Sequence, residues 1–233
     1  MKKELLIFGA YGALGTGVSK ILSAKPFDRI YLFGSHIDEQ NKISGRNIEN
    51  VITKDLSIEE NAKAAFKDLK PDKEKIFYLF STIGGFFGGK KIWETSLEDW
   101  NKMFEINLQT NFLIAKHFSN LVKESGGGTI CFTSAFTGLH EEAGKGAYGA
   151  SKSALIHLVK TLALEGREIN LSANAIAPYI IDTPLNREWM TKGDYSKWIK
   201  PEEIGELVWS VFNNFNFVSG NIFELKEKFE IEN

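Results

Sequence analysis

Residues 5–15 read LLIFGAYGALG, a four-residue apolar run followed by glycines at positions 9, 12 and 15. The apolar run has the length of a buried strand, and the residues from Leu14 onward have the apolar spacing of a helix. Glycines between a strand and a helix let backbone N–H groups approach a phosphate at the helix N-terminus without obstruction by side chains. The same spacing also occurs in tight structural turns. Its place near the N-terminus, between a strand and a helix, favours a nucleotide site.

The rest of the chain continues this alternation of strands and helices. Strands are predicted at residues 5–8, 30–33, 51–53, 75–80, 129–133, 171–176 and 221–225. Helices are predicted at residues 14–24, 58–69, 97–124, 147–165 and 201–213, and residues 35–50 are predicted to be mostly loop. Because no repeat or linker interrupts the alternation, we expect an α/β fold: a single doubly wound Rossmann-type domain over residues 1–233. Its parallel sheet would have about seven strands, with helices on both faces.

The composition excludes several classes of protein. Twenty-eight Lys and Arg residues against thirty Asp and Glu residues give a net charge of -2, so the chain lacks the basic surplus that binds nucleic acid or an anionic membrane. Cys131 is the single cysteine, which excludes an intrachain disulfide, and four scattered histidines do not make a metal site. No apolar run has the length of a signal peptide core or of a membrane span. We expect a cytoplasmic protein without metal, nucleic-acid partner or membrane partner.

Five further residues could carry chemistry. Tyr148 and Lys152 lie four residues apart on a predicted helix, so they share one face, and an ammonium near a phenol favours the phenolate needed for proton transfer. Asn107 lies beside the apolar face of the long predicted helix, where an amide is either hydrogen-bonded in the interior or lines a cleft. Thr133 and Ser134 follow a predicted strand, where hydroxyls contact a ligand or cap the strand. Each pattern alone is also compatible with a structural role.

The order of these elements along the chain resembles the short-chain dehydrogenase/reductase family. The elements are the glycine-rich turn, Asp55, Gly84-Gly85, Asn107, Ser134, Tyr148-x-x-x-Lys152, Pro178 and Thr183. The resemblance covers about residues 3–225. It implies a nicotinamide-dependent oxidoreductase that transfers hydride between the cofactor and a small carbonyl or alcohol substrate. It also implies that the helices at 97–124 and 147–165 pair with their copies in a homodimer or homotetramer.

The resemblance assigns roles to particular residues. Tyr148 would be the general acid/base, and Lys152 would lower the pKa of Tyr148 and hold the nicotinamide ribose. Ser134 would hydrogen-bond the reacting oxygen, and Asn107 would position a water in a proton relay. Asp55 would contact the adenine, while Ile181 and Thr183 would flank the nicotinamide. The full set of expected cofactor contacts is Gly9, Tyr11, Gly12, Ala13, Leu14, Gly15, Gly34, Ser35, His36, Asp55, Leu56, Gly84, Gly85, Tyr148, Lys152, Pro178, Ile181 and Thr183.

One departure from the family pattern concerns the serine. Thirteen residues before Tyr148, the usual spacing, stands Ala135, with Ser134 one residue earlier. Either the connecting loop has one extra residue, or the serine function is absent. Alanine at this position is a feature of the dihydropteridine reductase branch. That branch is also similar at Gly12-Ala13-Leu14-Gly15, Gly84-Gly85-x-x-Gly88-Gly89 and Asp182-Thr183-Pro184 followed by Asp194-Tyr195-Ser196-x-Trp198.

Three functions therefore stay open. Reduction of a small carbonyl substrate is the leading hypothesis, and reduction of a quinonoid dihydropterin is the alternative. A nucleotide-binding redox sensor without catalysis is a third, which the presence of both Tyr148 and Lys152 disfavours. Large aromatic residues are candidates for a substrate wall or for packing: Phe86, Phe87, Trp93, Trp189 and Trp198.

The end of the second predicted strand bears on the choice of cofactor. An acid there binds the ribose 2′-hydroxyl and repels a 2′-phosphate. This chain has Gly34-Ser35-His36, and the nearest acid is Asp38. NADP(H) is therefore favoured, although no arginine lies beside Ser35 and NAD(H) remains an alternative. Dihydropteridine reductases typically carry the acid, so this position favours the carbonyl hypothesis.

Overall fold

The computed structural model describes residues 1–37 and 39–229, so Asp38 lies outside the described residues. The strands are β1 (Lys2–Phe8), β2 (Arg29–Gly34), β3 (Ile48–Ile52), β4 (Lys75–Ser81), β5 (Gly127–Thr133), β6 (Leu171–Pro178) and β7 (Ile222–Leu225). The helices are α1 (Ala13–Ser23), α2 (Glu59–Ala65), α3 (Leu97–Phe104), α4 (Thr110–Lys123), α5 (Gly146–Glu165), α6 (Pro184–Trp189) and α7 (Pro201–Asn213). Within the described residues, no helix is both long and apolar enough to cross a membrane.

The seven strands form one parallel sheet in the order β3-β2-β1-β4-β5-β6-β7. The order reverses between β1 and β4, whose last residues Phe8 and Ser81 are register partners. In a doubly wound fold a ligand binds in the crevice at this reversal, outside the carboxyl ends of the strands. The predicted parallel sheet of about seven strands is confirmed, and the crevice at the reversal is where the sequence predicts a nucleotide site.

Alternation of side chains along β1 explains why helices cover both faces. Leu6 and Phe8 belong to a core formed with α2, α4 and α5, whereas Leu5 and Ile7 belong to a second core formed with α1 and α7. All four side chains are fully buried. A central parallel strand is buried on both faces, which is why its sequence is a continuous apolar run.

The long helix predicted at residues 97–124 differs from the observed one. A π-helical segment, Glu105–Gln109, separates α3 from α4. The Thr110 hydroxyl donates to the Glu105 carbonyl (3.1 Å), and the Asn111 amide donates to the Asn107 carbonyl (2.9 Å). These two side chains donate hydrogen bonds to backbone carbonyls in the wider π-helical turn, where the regular α-helical hydrogen-bond pattern is interrupted. Segments of this kind are frequent at functional sites, and this one carries Asn107.

Smaller differences concern the edges of elements. Helix α2 ends at Ala65, short of the predicted residue 69, and continues as turns. Strand β3 begins at Ile48, inside the predicted loop. Helix α6 was not predicted, although Thr183 as N-cap and Pro184 at the first position are ordinary signals of a helix start. None of these differences changes the strand order or the position of the crevice between β1 and β4.

Candidate active site

The glycine-rich turn between β1 and α1 leaves the start of the helix open. Gly9 has φ 77°, and a Cβ there would lie 2.4 Å from the Thr82 hydroxyl oxygen. A Cβ on Gly15 would lie 1.9 Å from the Gly9 carbonyl oxygen. Gly12 is the N-cap of α1 and provides no side-chain cap. Ala13 and Leu14 then begin the helix, so its first N–H groups are available to a phosphate.

The Tyr11 ring covers the end of β2 at Gly34. The Tyr11 ring packs against Gly34 so closely that a Cβ on Gly34 would lie 2.6 Å from it. The Tyr11 hydroxyl donates to the Asn50 side-chain oxygen on β3. Ser35 and His36 follow at the surface, with the Ser35 oxygen 3.3 Å from His36 Nδ1.

The expected adenine contact, Asp55, lies after β3 in a turn that leads into α2. Its carboxylate accepts hydrogen bonds from the Ser57 backbone N–H (2.9 Å) and the Ser57 hydroxyl (2.7 Å). Asp55 is exposed, and the adjacent Leu56 is buried. The carboxylate is thus oriented by its own turn at the carboxyl edge of the sheet.

Asn107 and Lys152 meet beneath the crevice. The Asn107 side-chain oxygen accepts from the Gly85 N–H (2.9 Å), and its amide nitrogen donates to the Gly85 carbonyl (3.0 Å) and the Ser151 hydroxyl (3.1 Å). A Cβ on Gly84 would lie 2.7 Å from Lys152 Nζ and 2.8 Å from Asn107 Oδ1. Because Gly84 has no side chain, Lys152 Nζ and Asn107 Oδ1 can both approach the loop after β4.

The electrostatics of Tyr148 and Lys152 differ from the expectation. Lys152 is buried and donates from Nζ to the Thr133 carbonyl (2.8 Å), with Nζ 6.0 Å from the centre of the Tyr148 ring. Burial lowers the pKa of Lys152 to about 7. Burial, and secondarily the charge of Glu142, raises the pKa of Tyr148 above its usual value. The expected lowering of the Tyr148 pKa by Lys152 is therefore not observed. Burial disfavours the charged form of Lys152 as well as the charged form of Tyr148, so the ammonium does not offset the burial of the phenol.

The Ser134 hydroxyl forms a hydrogen bond with the backbone of α5. Its hydroxyl donates to the Lys152 carbonyl (3.0 Å), and the side chain is buried with 2% of its surface exposed. Its N–H donates to the Ile176 carbonyl (2.8 Å), which joins the end of β5 to β6. Ala135 follows and is the residue at the usual serine spacing. Ser134 thus ties β5 to α5, as a strand-end hydroxyl can.

Two of the aromatic candidates lie beside Tyr148. Phe86, from the loop after β4, meets the Tyr148 ring edge-to-face at 5.0 Å, and the Trp189 ring of α6 lies 6.1 Å from Phe86. The other candidates do not join them: Trp198 is buried in packing, Trp93 is 79% exposed beside Lys91, and Phe87 lies under Lys90.

Charged side chains accompany these rings. Lys145 Nζ lies 5.9 Å from the centre of the Phe86 ring and 2.7 Å from a carboxylate oxygen of Glu142. We call Phe86, Glu142, Lys145 and Trp189 the rim of the crevice. The sequence reasoning missed Glu142 and Lys145, because nothing but their position six and three residues before Tyr148 marks them.

The segment after β6 is fixed by its own hydrogen bonds. Ile181 forms a bridge with Ile199, and its carbonyl accepts from the Asn186 amide (2.8 Å). The Thr183 hydroxyl caps α6 by accepting from the Asn186 N–H (3.3 Å). Pro178, the last residue of β6, leads into this segment, which places Ile181 and Thr183 at the carboxyl end of the sheet.

The fold and the site together define a class of protein. Residues 3–194 match the model of the family described as short chain dehydrogenase, and the chain belongs to the short-chain dehydrogenase/reductase family. It is therefore a Rossmann-fold oxidoreductase that uses a nicotinamide nucleotide.

Individual relatives sharpen the comparison. The chain is 29% identical over 234 residues to a protein named dihydropteridine reductase from Dictyostelium discoideum, covering 98% of this chain and 97% of that one. It is 26% identical over 191 residues to acetoacetyl-CoA reductase from Acinetobacter sp. (strain RA3849), covering 79% and 76%.

Solved structures share the fold. ElxO with NADP bound matches with a TM-score of 0.81 at 20% identity, covering 97% of both chains. NAD+-bound xylitol dehydrogenase matches with a TM-score of 0.84 at 20% identity, covering 97% of this chain and 98% of that one. Neighbours with either nucleotide therefore have this architecture.

Proposed function

We propose that this chain is an NADPH-dependent reductase of a quinonoid dihydropterin. The observation that carries the proposal concerns the usual serine position: Ala135 stands at the usual spacing from Tyr148, and the hydroxyl of the neighbouring Ser134 donates to the Lys152 carbonyl. Members that reduce carbonyls use such a serine to hydrogen-bond the reacting oxygen, whereas the dihydropteridine reductase branch has alanine. The similarity to the Dictyostelium protein over 98% of the chain supports the same choice.

The raised pKa of Tyr148 suits this direction of reaction. Near neutral pH the phenol keeps its proton, and the reduction of a quinonoid dihydropterin consumes one proton with each hydride. The bound nicotinamide would supply the hydride. Tyr148 would donate its proton to a ring nitrogen of the substrate, and Lys152, held by the Thr133 carbonyl, would reach the ribose. Asn107 would hold the Gly85 backbone at the edge of the nicotinamide site.

The nucleotide preference rests on the end of β2. The Tyr11 ring lies where the Cβ of any side chain at position 34 would have to be, so this position cannot carry an acid. Position 34 therefore has no carboxylate that would repel a 2′-phosphate. Glu39 is close enough to raise the pKa of Tyr11, but Lys42 pairs with it at 3.2 Å. The preference is tested by fluorescence titration with NADPH and NADH, where tighter binding of NADH would contradict it.

The substrate is tested with a matched panel. Initial rates of NADPH and NADH oxidation are measured with chemically generated quinonoid 6,7-dimethyldihydropterin, with acetoacetyl-CoA and with simple ketones. We expect the highest kcat/KM for the dihydropterin. Faster turnover of the carbonyl compounds would restore the carbonyl hypothesis. Tight NADPH binding without turnover of either class would favour the redox sensor.

We also propose that the chain forms a homodimer or a homotetramer through α3 and α4. Leu97, Trp100 and Phe112 expose 73%, 40% and 47% of their surfaces on these helices. Leu97 and Trp100 lie one turn apart on α3 and Phe112 lies on α4, and large apolar side chains exposed on a protein surface are typical of an interface. Light scattering on the wild type and on Trp100→Glu tests this proposal, which predicts a smaller particle for the variant.

A further inference from the structure

Glu142 carries a charge that the proposed chemistry does not use. It lies in the loop between β5 and α5, and its side chain is 26% exposed. One carboxylate oxygen accepts from the Thr137 hydroxyl, and the other accepts from Lys145 Nζ at 2.7 Å. Two partners from the same loop therefore hold the carboxylate in one orientation.

This carboxylate belongs to the mouth of the crevice. Its partner Lys145 lies over the Phe86 ring, and Phe86 contacts the Tyr148 ring. The loop returns directly into α5, since the Lys145 N–H donates to the Glu142 carbonyl (3.2 Å). Contacts through Lys145 and Phe86 thus connect Glu142 to the Tyr148 ring. A substrate that reaches Tyr148 therefore comes close to Glu142.

The bonding capacity of Glu142 is only partly used. Each oxygen of a carboxylate has two acceptor sites, so the bonds from Thr137 and Lys145 leave one on each oxygen. Two parallel N–H donors on a planar group match a carboxylate well, as an arginine does. A 2-amino-4-oxopyrimidine ring presents such a pair, its 2-amino group and the adjacent ring N–H. Burial alone would raise the pKa of Glu142, but the hydrogen bonds from the Lys145 ammonium and the Thr137 hydroxyl outweigh it, so the pKa is lowered and the carboxylate stays ionised as an acceptor.

We propose that Glu142 is a specificity-determining residue that accepts hydrogen bonds from the 2-amino edge of the substrate ring. Phe86 and Trp189 would lie against the flat part of the same ring. The inference rests on the proposed function and adds to it how a pterin is distinguished from other flat substrates. Glu142 orients the substrate, whereas the proton transfer stays with Tyr148.

The test uses two stable probes that differ at the 2-position. 6,7-Dimethylpterin has the 2-amino group, and 6,7-dimethyllumazine has an oxygen in its place. Quenching of tryptophan fluorescence gives the Kd of each probe for the complex of the protein with NADP+. We expect the wild type to bind the pterin about tenfold more tightly, and Glu142→Gln to lose this preference through weaker pterin binding alone. Glu141→Gln, an exposed neighbouring acid, is the matched control and should keep the preference.

Several results would overturn the inference. Equal affinity of the wild type for both probes, or an unchanged preference in Glu142→Gln, would each contradict it. Thermal unfolding and NADPH affinity of each variant show that the fold and the cofactor site are intact. Glu142→Asp keeps the charge and should retain part of the preference, which separates a role in recognition from one in loop structure.

Kinetics separate this inference from the proposed function. If the wild type does not reduce quinonoid 6,7-dimethyldihydropterin, the proposed function fails. If it does, Glu142→Gln should raise KM about tenfold with little change in kcat. An unchanged KM in a dihydropterin-reducing wild type would remove the role of Glu142 and leave the proposed function standing.

Discussion

The floor and the rim of the crevice are stabilised in different ways. We use floor for Asn107, Ser134 and Lys152, which are buried and whose side chains are bonded mainly to backbone groups of other elements. The rim contains exposed rings and a solvent-accessible ion pair. Bonds to backbone fix the floor because a buried polar group without a partner is costly. The rim has no such constraint, so its side chains can vary with the substrate.

This difference predicts which substitutions stop the chemistry and which change only the recognition of the substrate. Tyr148 lies between the two regions, with Lys152 beneath its ring and Phe86 at its edge. Changes at Tyr148 and in the floor should affect kcat or stability. Changes in the rim should affect KM.

The largest expected effect is that of Tyr148→Phe. Removing the phenol oxygen removes the proposed proton donor, and general acid catalysis contributes about 10²–10⁴-fold to rate. We expect kcat for the dihydropterin to fall by about that factor, while the Kd for NADPH changes little. Tyr31→Phe, on β2, is the control and should keep wild-type rates. Equal rates for Tyr148→Phe and the wild type would reject the acid/base role.

The second effect concerns the buried ammonium of Lys152. Its pKa in the folded chain is about 7, below the ordinary value of 10.5. Between these values the unfolded chain binds the additional proton, so stability should rise with pH across this window, by up to about 1.4 kcal/mol per pH unit. Urea unfolding at pH 7 and pH 9 should show this gain in the wild type and not in Lys152→Met.

Lys160→Met is the matched control for that measurement, because Lys160 is an exposed residue of the same helix. It should keep the pH dependence of the wild type. An identical pH dependence in Lys152→Met and the wild type would mean that burial does not lower the pKa of Lys152 in the folded chain, so the floor would be more hydrated than the structure indicates.

The third effect is a loss of stability caused by substitutions in the glycine-rich turn between β1 and α1, at the proposed cofactor site. A Cβ on Gly15 meets the Gly9 carbonyl oxygen at 1.9 Å, whereas a Cβ on Gly12 meets the same oxygen at 3.4 Å, an ordinary contact. Gly15→Ala should therefore lower the free energy of unfolding by about 1–3 kcal/mol, and Gly12→Ala should change it little. Thermal melting without nucleotide compares the two. Similar losses in both variants would contradict the backbone packing of the turn.

The same contrast explains what a single sequence can predict. Asn107, Lys152 and the glycines could be predicted because their order along the chain resembles that of the short-chain dehydrogenase/reductase family, whereas the spacing of each one alone also fits a structural role. The π-helical turn around Asn107 could not be predicted, since apolar spacing through residues 97–124 also fits a regular helix. The bond from Ser134 to Lys152 also depends on how β5 meets α5, which spacing leaves open.

The rim is where prediction from the sequence is weakest. Phe86 and Trp189 were two of five aromatic candidates, and only the packing of the β4 loop against α6 distinguishes them from Trp93 or Trp198. Glu142 and Lys145 belong to no motif. Their proximity to Tyr148 comes from the path of one loop, which neither periodicity nor composition encodes.

The smallest expected effect is that of Trp189→Ala, which tests whether the rim acts only on recognition. Trp189 is 59% exposed, and its ring lies 6.1 Å from that of Phe86. An aromatic pair contributes about 0.5–1.5 kcal/mol, so KM for the dihydropterin should rise by about 2–10-fold while kcat and the melting temperature stay close to those of the wild type. Trp93→Ala removes an even more exposed ring outside the rim and should leave KM unchanged. If Trp189→Ala instead lowered kcat as strongly as Tyr148→Phe, Trp189 would hold the phenol in place. Trp189 would then belong with the residues that affect the chemistry and not with the rim.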